Sequence, residues 1–217
     1  MDIKKFKGAI FDLDGTLLDS IHVWHNVDKA FFAKRNLPLT ADYIDAIKNM
    51  HFPTAAVYTK ERYNLPESTE GIMKEWYDLC FEAYENHILL KDGAYEFLQM
   101  LCKNGIKIAY ATANEEKLCR AALTKNGVWD LFSARAYVSE TKVDKSQPDV
   151  YLLASERLRL EPSECIVFED ILQGILGAEK GGFATCGVYD DSSLKDKEEI
   201  FRNADYYINS FSELLYK

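Results

Sequence analysis

Two aspartates one residue apart, Asp12 and Asp14, follow the apolar run Ala9-Ile10-Phe11. An apolar run that stops abruptly at a polar turn is typical of a buried strand. Side chains at positions i and i+2 of a strand point the same way, so both carboxylates are expected to face one cleft beyond the strand end. Gly15 lets the backbone turn sharply there and come close to a ligand. A surface turn rich in Asp, Gly and Thr is the ordinary alternative. Two carboxylates on one face after a buried strand are nevertheless costly unless a cation or a proton neutralises them.

Other polar side chains are predicted to follow strands in the same way. Thr112 ends one later strand, and Glu169 and Asp170 end another. Lys145 lies in a loop that enters a helix. Taken singly, each has an ordinary interpretation, as a strand-end hydroxyl, a solvated lysine or the acidic first turn of a helix. Ligands of open α/β sheets sit beyond the carboxyl ends of the strands, so together these residues are expected to converge on one site.

The chemistry of this predicted site points to a metal ion and a phosphate. A cluster of carboxylates without His or Cys suits Mg²⁺ rather than zinc, and protein-bound Mg²⁺ is typically shared with phosphate oxygens. The Thr112 hydroxyl, Lys145 and the backbone amides from Ala113 onward suit the remaining phosphoryl oxygens. One Asp carboxylate could then attack phosphorus and a second could shuttle the proton.

Two different patterns of elements would position these residues. From about residue 20 to 87 the pattern is helical without a convincing strand, which predicts an inserted all-helical cap. From about residue 88 onward helices and strands alternate, which predicts a parallel sheet with helices on both faces. The expected fold is therefore α/β, with a Rossmann-like core formed by residues 1–19 and 88–217 and a cap formed by residues 20–87. The predicted elements are cap helices over 21–36, 41–50, 53–63 and 68–86, core helices over 93–104, 115–126 and 171–180, a helix that opens at 147–149, strands over 106–111, 134–138, 165–168, 183–188 and 205–208, and a short helix after Ser210.

Composition limits the class of partner. The chain has 217 residues, 47% of them hydrophobic, and a formal charge of -9, which argues against nucleic acid and anionic membranes because these need clustered Lys and Arg. The start of the chain carries no apolar signal region, and the five cysteines are scattered without zinc-ligand spacing. We expect a cytoplasmic monomer that acts on a small phosphorylated metabolite.

These motifs resemble those of the haloacid dehalogenase superfamily, in the branch that contains β-phosphoglucomutase and small phosphatases. The similarity extends over essentially the whole chain and includes the helical insert. It implies that Asp12 is the nucleophile and that Asp14 is the general acid and base. It also implies that Mg²⁺ is held by the Asp12 carboxylate, the Asp14 backbone carbonyl and Asp170, with Glu169 bound directly or through water. Thr112 and Lys145 would bind the phosphoryl group.

The chain departs from the family pattern at a few positions. Ile171 replaces a common Ser and Ser146 a common Pro, changes that affect local geometry rather than charge. In the cap, Trp24 stands where sugar mutases of this branch carry His, and the segment around Phe52 lacks their Arg. These differences favour a phosphatase over a mutase. The cap residues expected to meet substrate are Trp24, Met50, His51 and Phe52, although packing between cap helices explains the aromatic ones equally well.

The predicted function is therefore a Mg²⁺-dependent phosphatase that acts through an aspartyl-phosphate. A phosphomutase of the β-phosphoglucomutase type is the alternative enzyme. A receiver-like domain that is itself phosphorylated on Asp is a non-enzymatic alternative, but it predicts a single domain without a cap. A binding protein that has lost turnover is opposed by the presence of Asp12, Asp14 and Asp170 together.

Overall fold

The computed structural model describes residues 1–47, 50 and 52–215, and it divides the chain into two compact units. One unit consists of Met1–Ile21 and Ile88–Lys217, and the other of His22–His87. The assignment of the second unit as a cap remains a proposal.

The first unit contains one six-stranded sheet in which every neighbouring pair is parallel. The order β3-β2-β1-β4-β5-β6 places the first strand in the centre. This confirms the predicted parallel sheet, and it puts the carboxyl end of β1 between those of β2 and β4, where the order of the strands reverses. The strands are β1 (Gly8–Phe11), β2 (Lys107–Thr112), β3 (Ala134–Tyr137), β4 (Cys165–Glu169), β5 (Ala184–Val188) and β6 (Tyr206–Ile208).

The second unit is helical over its described residues. The predicted helices 53–63 and 68–86 agree with the structure to within one residue, and the second helix is described as far as Ile47, with Met50 in a bend. Phe31, Phe32, Tyr43 and Trp76 form an aromatic cluster between these helices. The helices are α1 (Val23–Lys34), α2 (Ala41–Ile47), α3 (Phe52–Tyr63) and α4 (Thr69–Asn86).

Helices complete the first unit on both faces of the sheet. Successive residues of β1 supply the two cores because side chains alternate along a strand. Phe11 stacks on Phe168 with ring centroids 4.6 Å apart, in a cluster with Phe97 and Phe211. Ile10 belongs to the opposite core with residues of α8. The helices are α5 (Ala94–Lys103), α6 (Glu116–Lys125), α7 (Val138–Thr141), α8 (Asp149–Leu158), α9 (Leu172–Lys180) and α10 (Lys197–Asn203).

Two short helices were not expected from the sequence. α7 and α10 are four and seven residues long, too short for a clear period to appear in the sequence. The predicted short helix after Ser210 is a 3-10 turn at Phe211–Leu214, which the Ser210 side chain caps by accepting from the Ser212 amide. Among the helices in the described part of the chain, none combines the length and the apolar character that a bilayer span requires.

Candidate active site

Three carboxylates meet at the carboxyl ends of β1 and β4. Asp12 follows β1, Glu169 ends β4 and Asp170 follows it, and one oxygen from each lies within 4.8 Å of the others. The adjacent parallel strands cause this convergence, since Phe11 is paired with Phe168 and the Asp12 amide donates to the Phe168 carbonyl over 3.0 Å. Asp12 is 6% exposed, Asp170 1% and Glu169 not at all, so the cluster lies in the interior of the first unit.

Lys145 is the cation that the fold brings to this cluster. Its side chain is 7% exposed, and its ammonium forms ion pairs with Asp12 Oδ1 and with Glu169 Oε1, the latter at 2.6 Å. The backbone around Lys145 is packed tightly on α9, because a Cβ at Gly177 would lie 2.0 Å from the Lys145 carbonyl oxygen. This close approach fixes where the loop crosses the site. Three carboxylates and one ammonium leave the cluster with a formal charge of -2.

The electrostatics of the cluster favour a further cation. Burial raises the pKa of Asp12 well above its ordinary value, against the opposing effect of Lys145, and the neighbouring carboxylates add to the rise. Burial and the charge of Glu169 raise the pKa of Asp170 to about 7. Burial lowers the pKa of Lys145, but the charges of Asp12 and Glu169 outweigh it and keep the pKa above its usual range. Burial, reinforced by the neighbouring carboxylates, thus raises both Asp pKa values in the protein without a metal.

The loop after β1 is folded so that it supports Asp170. Gly15 has a positive φ of 85°, and a Cβ there would lie 2.5 Å from Asp170 Oδ2. The buried Thr16 hydroxyl donates to Asp170 Oδ1 over 2.7 Å. Gly15 is therefore required both for its backbone conformation and for the space that it leaves to a carboxylate.

Asp14 is not one of the three clustered carboxylates. Its side chain is half-buried, and it accepts hydrogen bonds from Ser20 Oγ at 2.6 Å and from Asn114 Nδ2 at 2.9 Å. That Asp12 and Asp14 face one cleft stays a prediction; in the structure, Asp14 accepts from Ser20 and Asn114, and Asp12 pairs with Lys145. The two groups are thereby placed in environments suited to different tasks.

Thr112 and Ala113 lie beside this arrangement, at the end of β2. Thr112 is buried, and its Oγ1 accepts from the Asn114 amide over 3.0 Å, so its hydroxyl shapes the turn into α6. Ala113 is exposed in that turn. Their part in binding a phosphoryl group remains a prediction.

The suggested cap residues belong to the second unit. Trp24 is 52% exposed, and its ring contacts Phe52 edge-on with centroids 5.9 Å apart. Phe52 in turn lies 5.5 Å from Trp76. Met50 is half-buried in a bend, and His51 falls outside the described residues. The aromatic contacts show packing within the unit, and a role toward substrate stays a prediction.

Several residues of this region were missed by reasoning from the sequence. Tyr151 on α8 donates to Glu169 Oε1 over 2.8 Å, although its place three residues after Pro148 suggests only helix packing. Asp190 is 8% exposed and pairs with Lys91 at 2.7 Å. Lys91 and Asp190 are about a hundred residues apart, so no local sequence pattern indicates that they form an ion pair.

Comparison with known proteins places these features in context. A family model described as haloacid dehalogenase-like hydrolase matches residues 9–188. The bifunctional riboflavin kinase/FMN phosphatase of Arabidopsis thaliana is 26% identical over 98% of this chain, which spans only 55% of that protein. Hexitol phosphatase A of Escherichia coli K12 is 30% identical, covering 81% of this chain and 80% of its own. A crystal structure from Thermotoga maritima, assigned provisionally as a beta-phosphoglucomutase, superimposes with a TM-score of 0.85 at 24% identity and covers 96% of both chains.

Proposed function

Because this chain belongs to the haloacid dehalogenase-like hydrolase family and is a phosphoric monoester hydrolase, we propose that it cleaves a small phosphorylated metabolite with Mg²⁺ through an aspartyl-phosphate on Asp12. The observation that carries this proposal is the buried ion pair of Asp12 with Lys145, beside Glu169 and Asp170. Membership of this family opposes the receiver-like alternative.

The residues of the site fit Mg²⁺. All three side chains offer oxygen, the donor that Mg²⁺ prefers, and a divalent cation would balance the formal charge of the cluster. In addition, Glu169 Oε2 is buried and finds no hydrogen-bond partner among residues 1–47, 50 and 52–215. Asp12, Glu169 and Asp170, together with the Asp14 carbonyl, would hold the ion. When bound, it would offset the charge of the phosphoryl oxygens and of the carboxylates around them.

Asp12 and Asp14 are proposed to divide the chemistry between them. An Asp12 oxygen forms a bond to phosphorus while the bond from phosphorus to the leaving oxygen breaks, and Asp14 gives that oxygen a proton. Asp14 then takes a proton from the attacking water, and phosphate leaves Asp12. Lys145 stabilises the ionised form of Asp12 in the first step, and Ser20 and Asn114 orient Asp14. Thr112, the Ala113 amide and Lys145 would bind the phosphoryl oxygens.

The phosphoryl acceptor is proposed to be water. The His and Arg that the mutases of this branch use in their caps are absent at the matching positions, where Trp24 and Phe52 stand. Hexitol phosphatase A, with which the chain shares 30% identity, directs the substrate search to phosphorylated polyols and sugars. Trp24, Met50, His51 and Phe52 are proposed to select among them. We also propose a cytoplasmic monomer, to be checked by size-exclusion chromatography with light scattering.

The proposal is tested by phosphate release from p-nitrophenyl phosphate and from a panel of hexitol phosphates, sugar phosphates and nucleotides. Wild-type activity should require Mg²⁺ and stop in excess EDTA, and Asp12→Asn should abolish it. Asp14→Asn should slow breakdown of the covalent intermediate, which intact-mass spectrometry would detect as an added phosphoryl group. Activity that persists in EDTA would overturn the scheme. Conversion of β-glucose 1-phosphate to glucose 6-phosphate would instead identify a mutase.

A further inference from the structure

Tyr151 is a buried tyrosine that has no role in the proposed mechanism. It lies on α8, fully buried, in the core on the face of the sheet that also holds Ile10. Its ring contacts Phe183 edge-on at 6.3 Å, and its hydroxyl donates to Glu169 Oε1 over 2.8 Å. Phenylalanine would fill the same space in the core, so the hydroxyl needs a separate explanation.

The two oxygens of Glu169 have different surroundings. Oε1 accepts from both Tyr151 and Lys145, at 2.8 Å and 2.6 Å. Oε2 is also buried but has no hydrogen-bond partner in the described part of the chain. A Cβ at Gly174 would lie 2.6 Å from Oε2, so the helix α9 leaves just enough room for this oxygen. An unpaired buried carboxylate oxygen is costly, which indicates that Oε2 is reserved for a partner other than the protein.

Lys145 alone cannot fix the carboxylate in this orientation. Its ammonium is shared between Glu169 and Asp12, so it can follow either group when Asp12 changes its charge or its bonding. The Tyr151 hydroxyl donates to Glu169 Oε1 from a ring that is held in the core. It is therefore the contact that can keep Oε1 in place while Lys145 moves.

We propose that Tyr151 is a positioning residue that holds Glu169 Oε1 and so presents Oε2 to the divalent cation of the site. This inference rests on the proposed Mg²⁺-dependent function. Residues that orient metal ligands typically contribute 10- to 100-fold to metal affinity. Loss of the Tyr151 hydroxyl should therefore weaken metal binding about tenfold or more while the core remains packed.

The test measures metal binding directly. Tyr151→Phe and wild type are titrated with Mn²⁺, free Mn²⁺ is followed by its EPR signal, and Mg²⁺ affinity is obtained by competition. Tyr110→Phe is the matched control, because Tyr110 is equally buried but its hydroxyl bonds to Tyr137 at 2.6 Å rather than to a carboxylate. We expect Tyr151→Phe to raise the Kd at least about tenfold and Tyr110→Phe to leave it unchanged. At saturating Mg²⁺, Tyr151→Phe should regain most of its kcat with an unchanged KM.

A double-mutant cycle with Glu169→Gln separates positioning from packing. If Tyr151 acts through Glu169, Tyr151→Phe should have little further effect on the Mn²⁺ affinity of Glu169→Gln. Equal Mn²⁺ affinity of wild type and Tyr151→Phe would overturn the inference, as would full additivity in the cycle. Absence of metal binding by the wild type would instead overturn the proposed function. If Tyr151→Phe does not fold, Tyr151→Met, which also lacks the donor, replaces it in the same titration.

Discussion

Asp12→Asn is expected to separate catalysis from stability in this protein. The substitution removes the proposed nucleophile and should abolish phosphate release. It also removes one of three carboxylates from a buried cluster in which Lys145 is the paired cation. We therefore expect the metal-free variant to be more stable than the metal-free wild type at pH 7.5, although it is inactive.

The expected gain follows from the charges around Asp12. With an effective dielectric constant of about 20, each of its two repulsions with Glu169 and Asp170 amounts to about 3 kcal/mol or more, given oxygens within 4.8 Å. The attraction of a contacting ammonium is about 6 kcal/mol at the same dielectric constant. The two repulsions and the attraction nearly cancel. The desolvation of the buried carboxylate therefore decides whether the substitution stabilises or destabilises the protein. The raised pKa of Asp12 points to stabilisation by the substitution, because it means that the folded protein favours the neutral form of this side chain. A stabilisation of about 1–3 kcal/mol is expected at pH 7.5.

The assay is urea denaturation in EDTA at several pH values. Because the folded pKa of Asp12 lies above its ordinary 3.8, Asp12 makes the wild type lose stability as the pH rises from about 4, and the Asn variant lacks this contribution. The difference between the two proteins should therefore be present at pH 7.5 and shrink toward pH 4. Asp190→Asn is the matched control of opposite sign. Burial alone would raise the pKa of Asp190, but Lys91 and Ser192 hold it below its usual value, so its loss should destabilise the protein at pH 7.5.

Two results would refute this reasoning. A metal-free Asp12→Asn that is less stable than wild type at pH 7.5 would show that the Lys145 ion pair outweighs burial and repulsion. Residual phosphate release at more than a trace of the wild-type rate would remove Asp12 from the role of nucleophile. Excess Mg²⁺ should reverse the order of stability, since the wild type offers the additional carboxylate to the ion.

Three further substitutions test other parts of the structure. Gly174→Ala should lower metal-free stability by about 1–3 kcal/mol in urea denaturation, because its Cβ would lie 2.4 Å from Glu169 Cδ. In the control Gly71→Ala in α4 the nearest atom to the new Cβ is Ser68 Oγ at 3.4 Å, an ordinary contact, so that variant should gain up to about 1 kcal/mol. Lys145→Met should cost about 3–5 kcal/mol in EDTA and abolish phosphate release, since the carboxylates lose their ammonium; unchanged urea unfolding would contradict this. Burial raises the pKa of Asp28 to about 6, so wild-type stability should fall as the pH rises from about 4 to 6. Asp28→Asn should make that slope shallower and add about 1 kcal/mol at pH 7, after allowance for partial exposure, and an unchanged slope would exclude a contribution from Asp28.

Much of the fold was predictable because its signals are local. Strands such as β1 and β4 are short apolar runs that end at carboxylates, and the helices between them show clear starts and stops. The parallel sheet follows from this alternation, since parallel strands need crossover connections. Local signals were weaker at α7 and α10, which are too short to show a period.

The identities of the candidate chemical groups were also present in the sequence. Asp12, Asp14, Lys145, Glu169 and Asp170 attract attention through their type and their place at the ends of predicted elements. Parallel strands have their carboxyl ends at one edge, so the meeting of Asp12 with Glu169 and Asp170 needed only β1 and β4 to be neighbours.

The tertiary structure alone decided how each group is held. After the turn that follows β1, Asp14 accepts hydrogen bonds from Ser20 and Asn114, whereas Asp12 forms an ion pair with Lys145. Contacts such as Tyr151 with Glu169 join residues 18 positions apart across a helix and a strand. The geometry of these contacts depends on close backbone packing, as at Gly177. The sequence specifies the residue types, but the distances between packed elements are set only in the folded structure.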